Sequence, residues 1–326
     1  MMKKRDLLKM LLVVTLLVTV LTSVGAQKKL YEIGAGPTGG NFYPMAVGIE
    51  KVLAEKMNCA YTTKVMVSGG STDNANLLAR GQVDLAILTQ PDAQALYEGT
   101  GAWQGRAFKD LQIITPLIPG HIRLVVRADA NVKTLADLKG KRFSPGQMGS
   151  GESTFWHIWE ACGYSQNDLR REYLDLGGIV DALKDGKIDG AYLAGSEPYS
   201  SLIDLKTSMG EKIQIYNFTE EEVAKIMAAD PRYAPWLCKA GTYPNQSTDS
   251  TIIAYHYYLA TTGELPNDIA YLAAKGLNEH QQWLSTIHAG YVNLDAAKAP
   301  GIMKMTPQIP IHEGALKYWE EVGAIQ

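Results

Sequence analysis

The sequence predicts an α/β protein built as two similar lobes, each a mainly parallel sheet flanked by helices, with a cleft between them. Three observations predict it. Strand-like apolar runs alternate with helix-period stripes along the chain, the pattern of parallel sheets covered on both faces. The alternation occurs twice: Gly40 and Gly151, Gly69 and Gly177, and Gly81 and Gly186 stand 111, 108 and 105 residues apart, in matching contexts. Glycine loops follow the strands, where ligands of such sheets bind.

In chain order, residues 1–26 carry a basic head (Lys3, Lys4, Arg5), an uncharged apolar run from Met10 to Val24 and a small-residue end at Val24-Gly25-Ala26. This reads as a secretory signal peptide cleaved after Ala26, the run being shorter than the roughly 20 residues a membrane span needs. Residues 27–326 then form the mature chain, which is more acidic than the full chain's net charge of −3 because the leader is basic. An acidic secreted protein is a poor candidate for nucleic acid.

The first copy opens with a short apolar run (Leu30, Tyr31, Ile33) and the loop Gly34-Ala35-Gly36-Pro37-Thr38-Gly39-Gly40-Asn41-Phe42-Tyr43-Pro44. Phe42, Met45, Ile49, Val52, Leu53 and Met57 then recur at helical spacing. The loop therefore leads into a helix N-terminus, where free N–H groups and the helix dipole favour an anion such as a carboxylate. A strand at 61–67, Ser68-Gly69-Gly70-Ser71, a helix over 72–79 and Gly81-Gln82-Val83-Asp84-Leu85-Ala86 complete the copy.

Two β-rich runs around Pro116–Gly120 suggest a crossing between lobes. A short helix from Thr134 to Gly140 follows. The second copy runs from Phe143 through Gly149-Ser150-Gly151, a helix, Gly177-Gly178 and Asp185-Gly186-Lys187-Ile188-Asp189-Gly190. Beyond it are a strand at 212–216, a helix at 220–229, a proline-rich stretch ending in Gly241-Thr242-Tyr243-Pro244, and a strand at 252–260 that returns to the first lobe. A long helix after Pro266 and a last helix holding Leu316 and Trp319 are expected to pack on that lobe.

Gly34, Gly36 and Gly39 also match a dinucleotide-binding fingerprint. That site needs an acidic residue at the end of the next strand, where this chain has Ser68-Gly69-Gly70-Ser71, so a dinucleotide-dependent enzyme is disfavoured. There is no G-x-S-x-G elbow and no H-E-x-x-H; His157-x-x-Glu160 is too few ligands for a metal. His121, His256, His280, His288 and His312 are scattered. Cys59, Cys162 and Cys238 form no C-x-x-C pair and read as small buried hydrophobes. No enzyme activity, cofactor or metal is expected.

The motifs Gly36-x-Thr38-Gly39-Gly40-x-x-Tyr43-Pro44, Ser68-Gly69-Gly70-Ser71, Gly81-x-x-Asp84-Leu85-Ala86, Leu135-Ala136-Asp137-Leu138-Lys139-Gly140, Gly149-Ser150-Gly151, Gly241-Thr242-Tyr243-Pro244 and Ile311-His312 stand together in this order. In this they resemble the TAXI-type solute-binding proteins of TRAP (tripartite ATP-independent periplasmic) transporters. The resemblance implies a periplasmic-binding-protein type II fold, a periplasmic location, and delivery of a small carboxylate, such as glutamate or a 2-oxoglutarate-like oxo acid, to an ion-gradient-driven permease or to a membrane sensor. The expected lobes are 27–118 with 255–326, and 119–254. Expected ligand-binding residues are Thr38, Gly39, Gly40, Asn41, Tyr43, Ser71 and Gln90 on the first lobe. On the second they are Ser150, Gly151, Glu152, Trp156, Ser196 and Glu197. Glu152 and Glu197 depart from the family pattern. Facing inward they would favour a zwitterionic ligand such as an amino acid; the alternative is a pair of solvated loop acids. Trp156 walls the cleft or packs at the core edge.

Overall fold

The structure is a computed structural model describing residues 30–149 and 152–325. The leader at 1–26, Ser150 and Gly151 lie outside the described residues.

The first copy is β1 (Leu30–Gly34), α1 (Phe42–Lys51), β2 (Thr62–Met66), α2 (Ser71–Ala79), β3 (Leu85–Thr89) and α3 (Gln90–Glu98). After the long strand β4 (Leu111–Arg127), the second copy is β5 (Arg142–Ser144), α4 (Glu152–Ala161), β6 (Arg170–Arg171), α5 (Leu176–Lys184), β7 (Gly190–Gly195) and α6 (Ser200–Met209). Then come β8 (Ile213–Ile215), α7 (Glu220–Ala229), β9 (Ala234–Cys238) and β10 (Ser250–Thr262). The chain ends with α8 (Asn267–Glu279), α9 (Gln281–Leu284), α10 (Ala299–Met303) and α11 (Glu313–Glu321).

Strand pairing makes the repeat explicit. β1 lies between β2 and β3, parallel to both, and β5 lies between β6 and β7, parallel to both. The sheet order β2-β1-β3-β10-β4-β7-β5-β6 therefore has the same arrangement from either end, with the antiparallel pair β10 and β4 at its centre.

The repeat extends to single hydrogen bonds. Asp84 accepts from the backbone N–H of Glu32 at 2.8 Å, while its own N–H donates to the Glu32 carbonyl. Asp189 does the same with Arg142, at 2.9 Å. Each carboxylate satisfies a ladder N–H at the start of its strand pair, so the G-x-x-D motif is a structural tie rather than a ligand site. The Arg142 guanidinium on Asp189 also holds that carboxyl below its usual range. Gly81 and Gly186, with φ of 66° and 69°, make the matching left-handed turns after α2 and α5.

Two expectations are corrected. The crossing segment is one continuous strand, β4, rather than two runs about a break. Its Pro119 and Pro116 stand opposite His256 and Tyr258, on either side of an irregularity in the register against β10, the kind of place where proline is tolerated in a sheet. The proline-rich stretch contains β9, an edge strand paired only to β10, and an edge is where Pro235 is tolerated.

Core formation follows the sequence pattern. Met45, Ile49, Val52 and Leu53 are fully buried from one face of α1 and its continuation. Phe143, Phe155 and Trp159 stack in the second lobe, with Phe143 and Phe155 centroids 4.9 Å apart. α11 packs on α8, and Trp319 donates to the Ile114 carbonyl at 3.1 Å, placing both helices at the first-lobe end of β4. All three cysteines are free and buried.

Candidate functional site

A cavity of about 610 Å³ opens between the two copies. Its first-lobe wall is glycine-rich: Gly36, Pro37, Gly39, Gly40, Asn41 and Phe42 from the loop after β1, and Gly69, Gly70 and Ser71 from the loop after β2. These loops must lie close together, because a Cβ on Gly36 would stand 3.2 Å from the Phe42 Cβ and 3.9 Å from the Gly70 Cα. The packing brings the N-termini of α1 and α2 to the same wall. Neither has a side-chain cap: Asn41 makes no capping bond, and Gly70, at φ 119°, has no side chain to make one. Uncapped N–H groups and two positive dipole ends thus meet at one wall of the cavity. Ser71, only 2% exposed, adds a hydroxyl that accepts from the Thr89 N–H at 2.8 Å.

The floor is aromatic. Tyr255 and Tyr257, two residues apart on β10, share a face of the sheet and point towards the cavity with Tyr192, Tyr199 and Phe42. Phe42 meets Tyr257 edge to face at 4.7 Å. Burial pushes the Tyr192, Tyr255 and Tyr257 hydroxyls well above the usual phenol range, so these rings stay neutral. The second-lobe wall is mainly apolar, with Leu174, Leu176, Ile179, Val180 and Leu193 beside the polar Gln147 and Ser201. The acids Asp175, Asp181 and Asp204 stand at its rim, where Lys184 is paired with Asp204 at 2.8 Å.

A polar chain holds the loop to the crossing strand. His288 Nδ1 accepts from the Gly290 N–H, leaving Nε2–H to donate to Asn41 Oδ1 at 2.8 Å. Asn41 Nδ2 donates to Ser196 Oγ at 3.1 Å, and Ser196 donates to the Pro119 carbonyl at 2.7 Å. Burial lowers the His288 pKa, which favours the neutral ring this chain requires.

Of the expected site residues, Gly39, Gly40, Asn41 and Ser71 come together in the cavity wall, and Ser196 stands behind Asn41. Thr38 is exposed and Tyr43 half-buried, both off the lining. Gln90 is fully buried and donates to the Tyr258 hydroxyl at 3.0 Å, tying α3 to β10. Trp156 packs at the core edge against Phe155 at 4.9 Å. Glu152 is half-buried at the start of α4 and Glu197 faces away from the cavity; neither belongs to the lining.

Glu197 has its positive charge inside the protein. It lies 3.4 Å from Arg123, in contact but not aligned for a hydrogen bond, and its other oxygen accepts from Trp236 Nε1 at 2.9 Å. Arg123 is fully buried between the rings of Tyr199 and Tyr243 and donates to the Gly195 carbonyl at 3.1 Å. The premise for a zwitterionic ligand, an inward acid in want of a cation, therefore does not hold at Glu197.

Sequence reasoning missed the aromatic floor and the wall formed by Leu174 to Val180. The Tyr-x-Tyr spacing of Tyr255 and Tyr257 signalled a common sheet face, but not which face lay open. Among the described residues no group of three or more His, Cys, Asp or Glu is placed to hold a metal, and no helix is long and apolar enough to cross a membrane.

This is the two-lobed α/β fold expected from the sequence, a mixed sheet built from two matched copies with the cavity between them. The chain belongs to the NMT1-like family, whose profile matches residues 33–323. Its structure is similar to that of a protein from Bordetella bronchiseptica RB50, with a TM-score of 0.57 at 13% identity over 90% of this chain and 98% of that one. A weaker likeness is to the alkanesulfonate-binding protein SsuA from Xanthomonas axonopodis pv. citri bound to MOPS, with a TM-score of 0.47 at 16% identity over 91% and 92% of the two chains. The periplasmic aliphatic sulphonate binding protein SsuA from Escherichia coli gives 0.45 at 15% identity over 90% and 87%.

Proposed function

We propose that the protein is an extracytoplasmic solute-binding protein, periplasmic after removal of its leader. It captures a small carboxylate-bearing solute in the cavity and delivers it to a membrane permease. The motif resemblance favours a TRAP-type, ion-gradient-driven permease and an amino acid or oxo acid as solute. The observation that carries the anion reading is the convergence of the uncapped α1 and α2 N-termini on one wall. Lys184, the one Lys or Arg among the lining residues, is paired to Asp204, so backbone dipoles rather than a free cation receive the carboxylate.

Gly39 tests this wall. It lines the cavity, and a Cβ there meets nothing within 4 Å, so a larger side chain has room without disturbing the fold. Gly39→Leu is expected to weaken binding of the bound acid at least tenfold, by calorimetry, with an unchanged ligand-free melting temperature. Undiminished affinity in the folded variant would remove this wall from the site. Gly40 is the poorer test, since its Cβ would crowd the Pro37 carbonyl at 3.1 Å.

The lobes in this reading are 27–118 with 255–326, and 119–254, closing on ligand about Pro116–Gly120 and Thr251–Tyr255. Both strands cross between the copies there, and the β10 register shift supplies a local irregularity. Small-angle scattering is expected to show a smaller radius of gyration at saturating ligand, and an unchanged profile would count against closure.

A further inference from the structure

The two walls of the cavity differ in chemistry, and that difference bears on the body of the ligand rather than its head. We infer that the solute is a monoacid with an apolar, branched or aromatic body, its carboxylate on the α1 and α2 N-termini and its body against Leu176, Val180 and the tyrosine floor. The inference rests on the carboxylate reading above and adds what lies beyond the head.

Three observations carry it. The second-lobe wall offers Leu174, Leu176, Ile179, Val180 and Leu193, and among the described residues the lining cation, Lys184, is already paired with Asp204. Leu174, Leu176 and Val180 are only half-buried, so the cavity leaves apolar surface in water that a ligand body would cover. Asp175, Asp181 and Asp204 at the rim outnumber Lys184, which is engaged, so a distal carboxylate would meet like charge. The faces of the floor rings pack against apolar or aromatic groups, which suits such a body. Glutamate and 2-oxoglutarate, each with a second carboxylate, fit this wall poorly.

Matched pairs differing only at the distal end provide the test: leucine against glutamate, and 4-methyl-2-oxopentanoate against 2-oxoglutarate, titrated calorimetrically into the mature protein. The apolar member of a pair is expected to bind at least tenfold more tightly. Val180→Asp should weaken that binding at least tenfold while the ligand-free melting temperature holds, Val180 being half-buried. Diacid binding as tight as the apolar partner's, and sensitive to Gly39→Leu, would overturn this inference and leave the carboxylate reading standing. Failure of all four acids to bind would overturn both. Apolar binding that ignores Val180→Asp would place the body elsewhere and overturn the inference alone.

Discussion

Glu197→Ala is expected to lower the unfolding free energy by about 3 kcal/mol, the usual cost of stranding one member of a buried ion pair. The cost arises at Arg123, which is fully buried and has no other carboxylate against it among the described residues. Its remaining partners are backbone carbonyls of His121 and Gly195 and two tyrosine faces, which stabilise the cation but do not neutralise it. The neighbourhood is already arranged around this charge. His121 lies tilted against Trp236 and is held to a pKa of about 2 by burial and then by Arg123, so it cannot take over as a charged partner. Burial, followed by Glu197, pushes the Cys238 thiol up to about 12, so it stays protonated and supplies no substitute anion. Adding Arg123→Met to Glu197→Ala should recover at least half of the loss, because a neutral chain of similar length removes the stranded charge and keeps the packing between Tyr199 and Tyr243. Chemical denaturation of the two variants decides it. A single variant within about 1 kcal/mol of wild type would show the pair to be solvated as surface pairs are.

How much of this was legible in the sequence depends on the kind of residue. The repeat was legible because glycines at left-handed turns, such as Gly81 and Gly186, cannot be exchanged for other residues without strain, and so mark matching positions in both copies. The glycine loop before α1 was legible for a related reason: Gly36 permits an approach to Phe42 that a Cβ would crowd at 3.2 Å. Asp84 and Asp189 were visible as a motif, but their role was not, since the N–H each one satisfies belongs to a strand about 50 residues earlier. Glu197 shows the limit most clearly. An isolated acid after a glycine-rich turn looked like a ligand contact, and its partner Arg123 lies on a different strand with nothing in the local sequence to connect them. The apolar wall was hidden because half-buried Leu176 and Val180 carry the same helical period as a core stripe. Only the packing of the lobes distinguishes a face that is covered from one that waits for a ligand.

Gly120 is where fold and cavity are most tightly joined. An alanine Cβ there would stand 2.4 Å from the Cζ and hydroxyl of Tyr257, a separation at which the ring must move. Tyr257 is itself buried, with Phe42 edge-on at 4.7 Å and Tyr255 at 5.3 Å, and it lines the cavity, so the ring moves into the cavity. Gly120→Ala is therefore expected to cost about 3 kcal/mol of stability, at the upper end for inserting a methyl group into a packed core, and to abolish measurable ligand binding by filling the floor. Tyr257→Ala leaves a void at the same place, and in that background the added methyl group has room. The two substitutions should then be strongly non-additive, with Gly120→Ala costing less than about 1 kcal/mol when Tyr257 is absent, a coupling of the size found for residues in direct contact. A thermodynamic cycle from denaturant unfolding of the two single variants and the double variant measures it. Additive costs would mean that β4 shifts to make room instead of the ring. In that case the loss of ligand binding would come from a changed lobe orientation rather than from a filled floor, which small-angle scattering of ligand-free Gly120→Ala would detect.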